Sequence, residues 1–578
     1  MSSPKKLMLI LLLTFFASFI IYLFTYKPFL GCDDAYIYFV YAKNFTNGHG
    51  LVYYPAGERV EGFTSLLWVL ISSFFYFLTS HFQWLLLMLN VVLIGYALYR
   101  LARFVDTYYI AKPSQWVSLS SLGLILILLS IKGYIDWTVI SLMETGLWST
   151  LLILNWLFLL ELVVKGENTK KQFGLFMAGI GLLVITRPES TLWNIGLIAC
   201  LFLILYLQSF SFKKTIRRVA PTILVFVLAN VALITFRLIY FGYPLPNTYY
   251  AKVSTDKIYN LKEGIIYIAK FIYIYPIYFI PIVFGSVAFL WSGYHVLIAL
   301  KKKENLNKFW LALFVNSVII MITLLIPLFV GGDHFPLFRL IQPTVPFFLL
   351  LLLNPIWKEQ FLLMANLQSK KTKWISALLM IMLLTFLYLV NIPKYFVNSE
   401  KVPYKLSLYY DFSFAEANKQ ESIVLNKLFS YSHKPSIGRI WAGGYAFAYD
   451  GPTIDLMGLN NTLMAHAIPE KKGLKNHAAF DKKTFYILKP DLLNGQLVND
   501  TTHFVFKETQ PGFSESFEWN AFKGIYKDQP FQEMYLPVLI KDPTRTIVYF
   551  TYARKDYVDT LRSHDLSVEI IQRIVSTP

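Results

Sequence analysis

The sequence predicts a multi-pass α-helical membrane protein of about eleven transmembrane helices, followed by an extracytoplasmic C-terminal domain of mixed α/β structure. Three observations predict it. Of 578 residues, 56% are hydrophobic and 17% aromatic, with a mean hydropathy of +0.50. The apolar residues fall in repeated runs of about 16–20, long enough to cross a bilayer. The formal net charge of +18 collects between those runs. That is how a membrane protein follows the positive-inside rule, so the excess calls for no nucleic-acid partner. Beyond about residue 394, charged residues, Asn and turn formers rise and the long apolar runs stop.

The basic clusters set the orientation. Lys5 and Lys6 place the N-terminus in the cytoplasm, and the apolar run behind them lacks a small-residue cleavage site, so it reads as an uncleaved first span. Arg100, Arg103 and Lys112 form the next cluster. Lys165, Lys170 and Lys171 follow, then Lys213, Lys214, Arg217 and Arg218. The last two are Lys301, Lys302 and Lys303, and Lys370, Lys371 and Lys373. All face inward only if one apolar run does not cross. That run is Leu66–Leu78, short for a span and suited to a helix lying at the outer face. Spans are then expected over 7–26, 84–99, 116–131, 146–164, 173–186, 192–207, 220–236, 277–300, 310–330, 340–357 and 375–390.

An odd number of spans sends the tail outside. The expected division is a transmembrane domain over 1–393, with 31–83 as its first outer loop, and a C-terminal domain over 394–578. Within the tail, TRTIVYFTYA at 544–553 reads as a buried strand, and GPTIDLMGLN at 451–460 as a strand ending in a polar turn. LRSHDLSVEIIQRIV at 561–575 reads as a final helix.

The polar residues of the outer loops do not fit simple packing. Asp33 and Asp34 stand adjacent just after the first span. Such a pair ordinarily dresses a helix N-terminus, with Asp33 as a cap. A carboxylate there is also the group that takes a proton from an attacking hydroxyl. IDWTVISLMETG adds Asp136 and Glu144, and ITRPES adds Arg187 and Glu189. RLIYFGYPLPNTYYAKVS carries Arg237, Asn247, Tyr250 and Lys252, and GGDHFPLFRLIQP carries Asp333, His334 and Arg339. Arg187, Arg237, Lys252 and Arg339 run against the positive-inside trend. One such cation is ordinary snorkelling; four in Gly/Pro-rich loops favour an anionic ligand at membrane depth, a lipid phosphate or diphosphate.

No metal site is spelled out. Cys32 and Cys200 are too few and too differently placed for a disulfide framework or a metal centre, and Asp333–His334 lacks a second histidine at ligand spacing. A divalent cation is compatible with the acids but not firmly implied, so the cofactor is unknown. GGYAF at 443–447 is glycine-rich, yet no Lys-Ser/Thr follows it, so it is no phosphate loop.

Six stretches carry a resemblance. They are DDAYIYFVYAKNFTNGHGLVYYPAGERVEGFTSLLW from Asp33, METGLW, TRPES, FGYPLPNTYYAK, GGDHFPLFRLIQPTVP and PTIDLMGLN ending at Asn460. In this order the chain resembles the GT-C class of integral-membrane glycosyltransferases. More closely, it looks like the bacterial group containing the terminal arabinofuranosyltransferases of mycobacterial cell-wall assembly and the LphB-like proteins. The resemblance implies a polyprenyl-phosphate-linked sugar donor and a glycan or glycolipid acceptor. It implies an inverting transfer on the outer, periplasmic face of the bacterial inner membrane. It makes Asp34 or Asp33 the catalytic base and Glu144, less surely Asp136, a second acidic position. The donor phosphate- and sugar-binding candidates are Arg187, Lys252, Arg339, His334, Glu144, Asn247 and Tyr250, with Arg187, Lys252 and Arg339 expected in one cavity with the acids.

Two other readings compete. A flippase or transporter of lipid-linked sugars would place ionisable residues mid-membrane in two repeated halves. Here the spans are mostly free of charge and no internal repeat is visible. A non-catalytic scaffold for envelope assembly would not need acids and cations gathered in the same loops.

Overall fold

The computed structural model describes residues 3–108, 115–352, 408–498 and 517–571. Among them, seven helices are long and apolar enough to cross a membrane: Pro4–Tyr26, Phe82–Tyr108, Thr145–Lys165, Ser190–Ser209, Phe212–Tyr240, Pro276–Lys302 and Lys308–Val330. The runs expected at 116–131 and 173–186 also form helices, Gln115–Ser130 and Lys170–Thr186, of 16 and 17 residues. The run expected from 340 opens with a turn and becomes the helix Val345–Leu352. The run at 375–390 and the boundary at 393/394 lie outside the described residues. Leu66–Leu78 is a helix whose start is fixed by Ser65, its Oγ accepting from the Trp68 amide at 3.1 Å.

The described chain divides into two compact units. One comprises Met1–Leu30, Gln83–Leu233 and Asn260–Tyr409. Its most buried long helix is Thr145–Lys165, apolar along most of its length. Trp148, Trp156 and Trp193 are fully buried there, and Gly179 and Gly146 allow close approach to Asn155 and Asn90. Lys6, read from the sequence as part of a cytoplasmic charge cluster, is buried and paired with Asp106, its Nζ also donating to Ser121 Oγ at 2.5 Å.

The second unit comprises Gly31–Phe82, Ile234–Tyr259 and Tyr410–Pro578. Its frame is a six-stranded sheet in the order β2-β1-β3-β5-β4-β6. The strands are β1 (Ile437–Arg439), β2 (Thr453–Asp455), β3 (Leu492–Leu497), β4 (Tyr535–Lys541), β5 (Val548–Arg554) and β6 (Ser567–Ile570). β1 pairs in parallel with β2 and β3; the β3–β5, β4–β5 and β4–β6 pairs are antiparallel. Along β4 and β5 alternate residues enter two different cores. Leu539, Phe550 and Tyr552 join Phe480, Phe485 and Phe531, whereas Val538, Ile540 and Tyr549 join Leu425, Phe429 and Ile437. The period-2 pattern therefore buries both faces of the sheet.

The strand expected within 544–553 is β5, and the one expected within 451–460 is β2. The final helix is corrected. Helix runs over Lys555–Ser563, Asp565 turns the chain with φ 59°, and Ser567–Ile570 pairs with β4 instead. The alternation Val568-Glu569-Ile570 is a strand period, and an open edge of β4 rewards it with a ladder.

Candidate functional site

The sheet-bearing unit holds the acid pair. Asp33 and Asp34 open the helix Asp33–Thr46, but Asp33 does not cap it: Cys32 is the N-cap and no side-chain cap bond forms. The capping expectation is corrected because better donors are at hand. The Gly443 amide donates to Asp33 Oδ2 at 3.0 Å and the Gly444 amide to Oδ1 at 2.9 Å. Both glycines are needed for that approach. A Cβ at Gly443 would stand 1.9 Å from the Asp33 carbonyl oxygen, and one at Gly444 2.0 Å from that of Ala415. GGYAF is thus an anion cradle after all, for a carboxylate of the same chain. Burial pushes the Asp33 carboxyl up to about 6; the two amides oppose the rise, while the charges of Asp34 and Asp411 add to it.

Asp34 meets Lys252, whose Nζ stands 3.4 Å from its Oδ2. Lys252 ends the short helix Asn247–Lys252, and that helix is anchored at its start. The Asn247 amide group donates to the carbonyls of Gly458 and Leu459 at 2.8 and 3.0 Å, and its backbone N–H to the Glu61 carbonyl. Arg237 is tied off by a bidentate pair with Glu61 at 2.7 and 2.9 Å, both side chains buried. Tyr250 lies against His466 with ring centroids 4.2 Å apart, and Tyr243 meets both, 4.4 Å from that imidazole and 5.8 Å from Tyr250.

The turn after β2 is built around Asp455. Its carboxylate accepts from the amides of Met457 and Asn460 and from Asn460 Nδ2. Asn460 Oδ1 accepts from Tyr41 of the Asp33–Thr46 helix at 3.1 Å. Burial pushes Asp455 up to about 6 against those donors.

The helical unit holds a second cluster. Arg187 follows the helix Lys170–Thr186 and is almost wholly buried. It pairs with Glu144, with Glu189 at 2.8 Å, and covers the Trp148 ring at 5.0 Å. Although burial works against its charge, Glu189 and Glu144 hold the guanidinium firmly protonated, and Arg187 in turn keeps Glu189 below the usual carboxylate range despite burial. Arg339 pairs with Asp333 at 2.7 Å over the Phe335 ring at 4.5 Å. The other Asp333 oxygen faces His334 Nδ1 at 3.3 Å. Asp136 accepts from the Gly133 amide and the Tyr26 hydroxyl.

Three bulky residues in these loops have left-handed backbone: Leu142 at φ 58°, Leu337 at 61° and Phe338 at 56°. Each flanks a charged member of the cluster, and strain of this kind persists where the surroundings over-determine it. Glu144 Oε2 is buried with no hydrogen-bond partner among the described residues.

The sequence-predicted residues therefore fall into two groups. Asp33, Asp34, Lys252, Asn247 and Tyr250 belong to the sheet-bearing unit; Glu144, Arg187, His334 and Arg339 belong to the helical unit. Sequence reasoning gave Glu61 no role and noted Gly443 and Gly444 only to set them aside as no phosphate loop. The only signal for the glycines was their adjacency. Among the described residues no three His, Cys, Asp or Glu side chains gather as metal ligands.

No family model and no curated protein matches the chain. Among solved structures it is similar to the oligosaccharyltransferase of Archaeoglobus fulgidus in the apo form, at 11% identity over 96% of this chain and 75% of that one, TM-score 0.48. It is also similar to the oligosaccharyltransferase AglB of the same organism in complex with an inhibitory peptide and a dolichol-phosphate. That match has 12% identity over 96% and 74% of the two chains, TM-score 0.47.

Proposed function

We propose that the chain is an integral-membrane glycosyltransferase of the GT-C type. It moves a sugar from a polyprenyl-phosphate donor to an envelope glycan or glycolipid on the periplasmic side of a bacterial inner membrane, with inversion at the anomeric carbon. The observation that carries the reading is the acid pair. Two adjacent carboxylates are held in different ways, one by two amides and the other beside a lysine. A packing role needs neither.

In this reading Asp34 is the base. An acceptor hydroxyl is a poor nucleophile at neutral pH, and a carboxylate in hydrogen-bond reach takes its proton as the new bond forms. Lys252 aims Asp34, and Asp33, fixed by Gly443 and Gly444, orients the acceptor. The donor phosphate leaves with the electron pair, so inversion needs no covalent intermediate. Arg339 and Arg187, with His334, are assigned to the donor phosphate, and Glu144, Asn247 and Tyr250 to the donor sugar. Both arginines already face carboxylates, so phosphate binding there requires one of those acids to give way or to gain a proton. The unsatisfied Glu144 Oε2 is the atom a sugar hydroxyl would meet. The transmembrane domain over 1–393, the outer face for Leu66–Leu78 and the extracytoplasmic tail belong to the same proposal.

The test is transfer of label from radiolabelled polyprenyl-phosphate sugars, supplied as a panel, to an envelope acceptor by the purified full-length protein. Transfer supports the proposal. Movement of intact lipid across vesicles without transfer supports the flippase instead. If the assay works, Arg339→Gln weakens donor binding by about 1.5–3 kcal/mol, the range for a lost charged hydrogen bond.

A further inference from the structure

Large rings exposed to water on a domain that has two filled cores of its own are the informative exception to ordinary packing. In the sheet-bearing unit Phe414 is 40% exposed and Phe517 38% exposed, and half-buried Trp441 lies between them. Trp441 is offset-stacked on Phe517, centroids 5.1 Å apart and planes at 18°, and meets Phe414 edge-on at 4.7 Å. His477 closes one side, 5.7 Å from Trp441 and 5.0 Å from Phe517.

Two of its rings neighbour in the chain the backbone that fixes Asp33. Trp441 is joined to Gly443 through Ala442, so their Cα atoms are at most about 7.6 Å apart, and the Gly443 amide holds Asp33. Phe414 immediately precedes Ala415, whose carbonyl packs on Gly444, the other half of the cradle. One helical turn from Ala415, Asp411 is near enough to raise the Asp33 carboxyl. Trp441 and Phe414 thus stand within two residues of the backbone groups around Asp33.

We propose that Trp441, Phe414 and Phe517 form a subsite for a sugar ring of the acceptor, so that the acceptor is a glycan chain engaged through at least one sugar besides the one that reacts. The C–H face of a sugar is apolar and slightly positive, and an aromatic face is apolar and negative; the two fit, while hydroxyls at the sugar's rim stay in water or reach polar neighbours such as His477. A bare lipid or peptide acceptor would not need this arrangement. The inference rests on the glycosyltransferase reading for the word acceptor, but not for the binding itself.

Two measurements on the full-length protein in detergent test it. The first is equilibrium binding of radiolabelled oligosaccharides released from the envelope of the source cells, with a radiolabelled alkyl lipid as control. The second is the acceptor dependence of transfer. Trp441→Ala and Phe517→Ala are expected to weaken oligosaccharide binding about tenfold and to raise the acceptor KM by the same factor. kcat and donor KM should hold within about twofold, and Trp441→Phe should restore most of the loss. Phe414→Leu, at an exposed ring, guards against a Trp441 variant that fails to fold. Unchanged oligosaccharide binding and acceptor KM in all variants overturn the proposal, as does binding of the alkyl lipid in place of the sugar. If no donor supports transfer but the variants still lose oligosaccharide binding, the subsite stands and the transferase reading falls. If transfer proceeds and the variants match the parent, the reverse holds.

Discussion

The two charged clusters balance their charge in opposite ways. In the helical unit two arginines meet three carboxylates, Glu144, Glu189 and Asp333, and each of these acids has an arginine partner. In the sheet-bearing unit one carboxylate rests on neutral amides and only its neighbour meets a cation. Ion pairs lock a buried charge and hold its protonation state. Amides orient a carboxylate but leave burial to raise its affinity for a proton. The first arrangement suits a fixed electrostatic platform; the second holds one carboxylate, Asp33, in a set orientation and leaves its neighbour Asp34 beside a single lysine.

The largest expected effect separates these roles. Asp34→Asn keeps the shape and removes the base, and is expected to lower kcat by about 10²–10⁴ with near-native thermal stability and donor binding. The readout is single-turnover transfer of label. Native rates in both Asp34→Asn and Asp33→Asn would end the mechanism drawn above.

Arg187→Ala should show the contrasting behaviour. It strands Glu144 and Glu189 in a buried site, and breaking such a pair costs about 3–5 kcal/mol of stability. Adding Glu144→Gln should recover part of the loss, because one stranded charge is then removed. Unfolding of the two variants in detergent measures this. A single variant as stable as the parent would show that the cluster is not locked as described.

The pH dependence sharpens the same contrast. Asp455 and Asp33 have folded values of about 6, above the 3.8 of an ordinary aspartate. The folded state therefore binds these protons more tightly than the unfolded chain. Their cost to stability is full above about pH 6 and is relieved as pH falls from 6 towards 4. For fully buried Asp455 two pH units correspond to about 3 kcal/mol. Unfolding midpoints should rise between pH 7 and pH 5, and a flat or opposite trend there would count against uncompensated burial. Transfer should fade on the acid side near pH 6, where Asp33 gains its proton.

Lys252→Met gives the smallest structural effect. Both partners are 17% exposed and 3.4 Å apart, so stability should fall by only about 1 kcal/mol or less. A larger fall in transfer rate than in stability would mark Lys252 as positioning Asp34; equal small changes would reduce it to a surface pair.

How much of this was legible in the sequence differs by element. The helix Leu66–Leu78 was readable to its ends, because an apolar run stops at Ser65 and Thr79 and Ser65 is a cap. The strands β5 and β2 announced themselves through β-branched and aromatic alternation. The last segment misled because 561–575 mixes a helical start with a strand period, and only the free edge of β4 decides between them. In the site, the residue types were legible and the partners were not. Arg187, Arg237 and Arg339 read as cations awaiting an anion; each has a carboxylate of its own chain.

By itself the sequence determined the local quantities: which runs are apolar enough to span, where helices start, and that two adjacent carboxylates follow the first span. Those follow from short-range steric and solvation preferences of consecutive residues. The tertiary structure alone decided that Gly443 and Gly444 grip Asp33 across a separation of 410 and 411 residues, and that Glu61 claims Arg237 across 176. Any buried donor will satisfy any buried acceptor, so chemistry leaves the choice of partner open until the packing of distant segments brings one pair within reach.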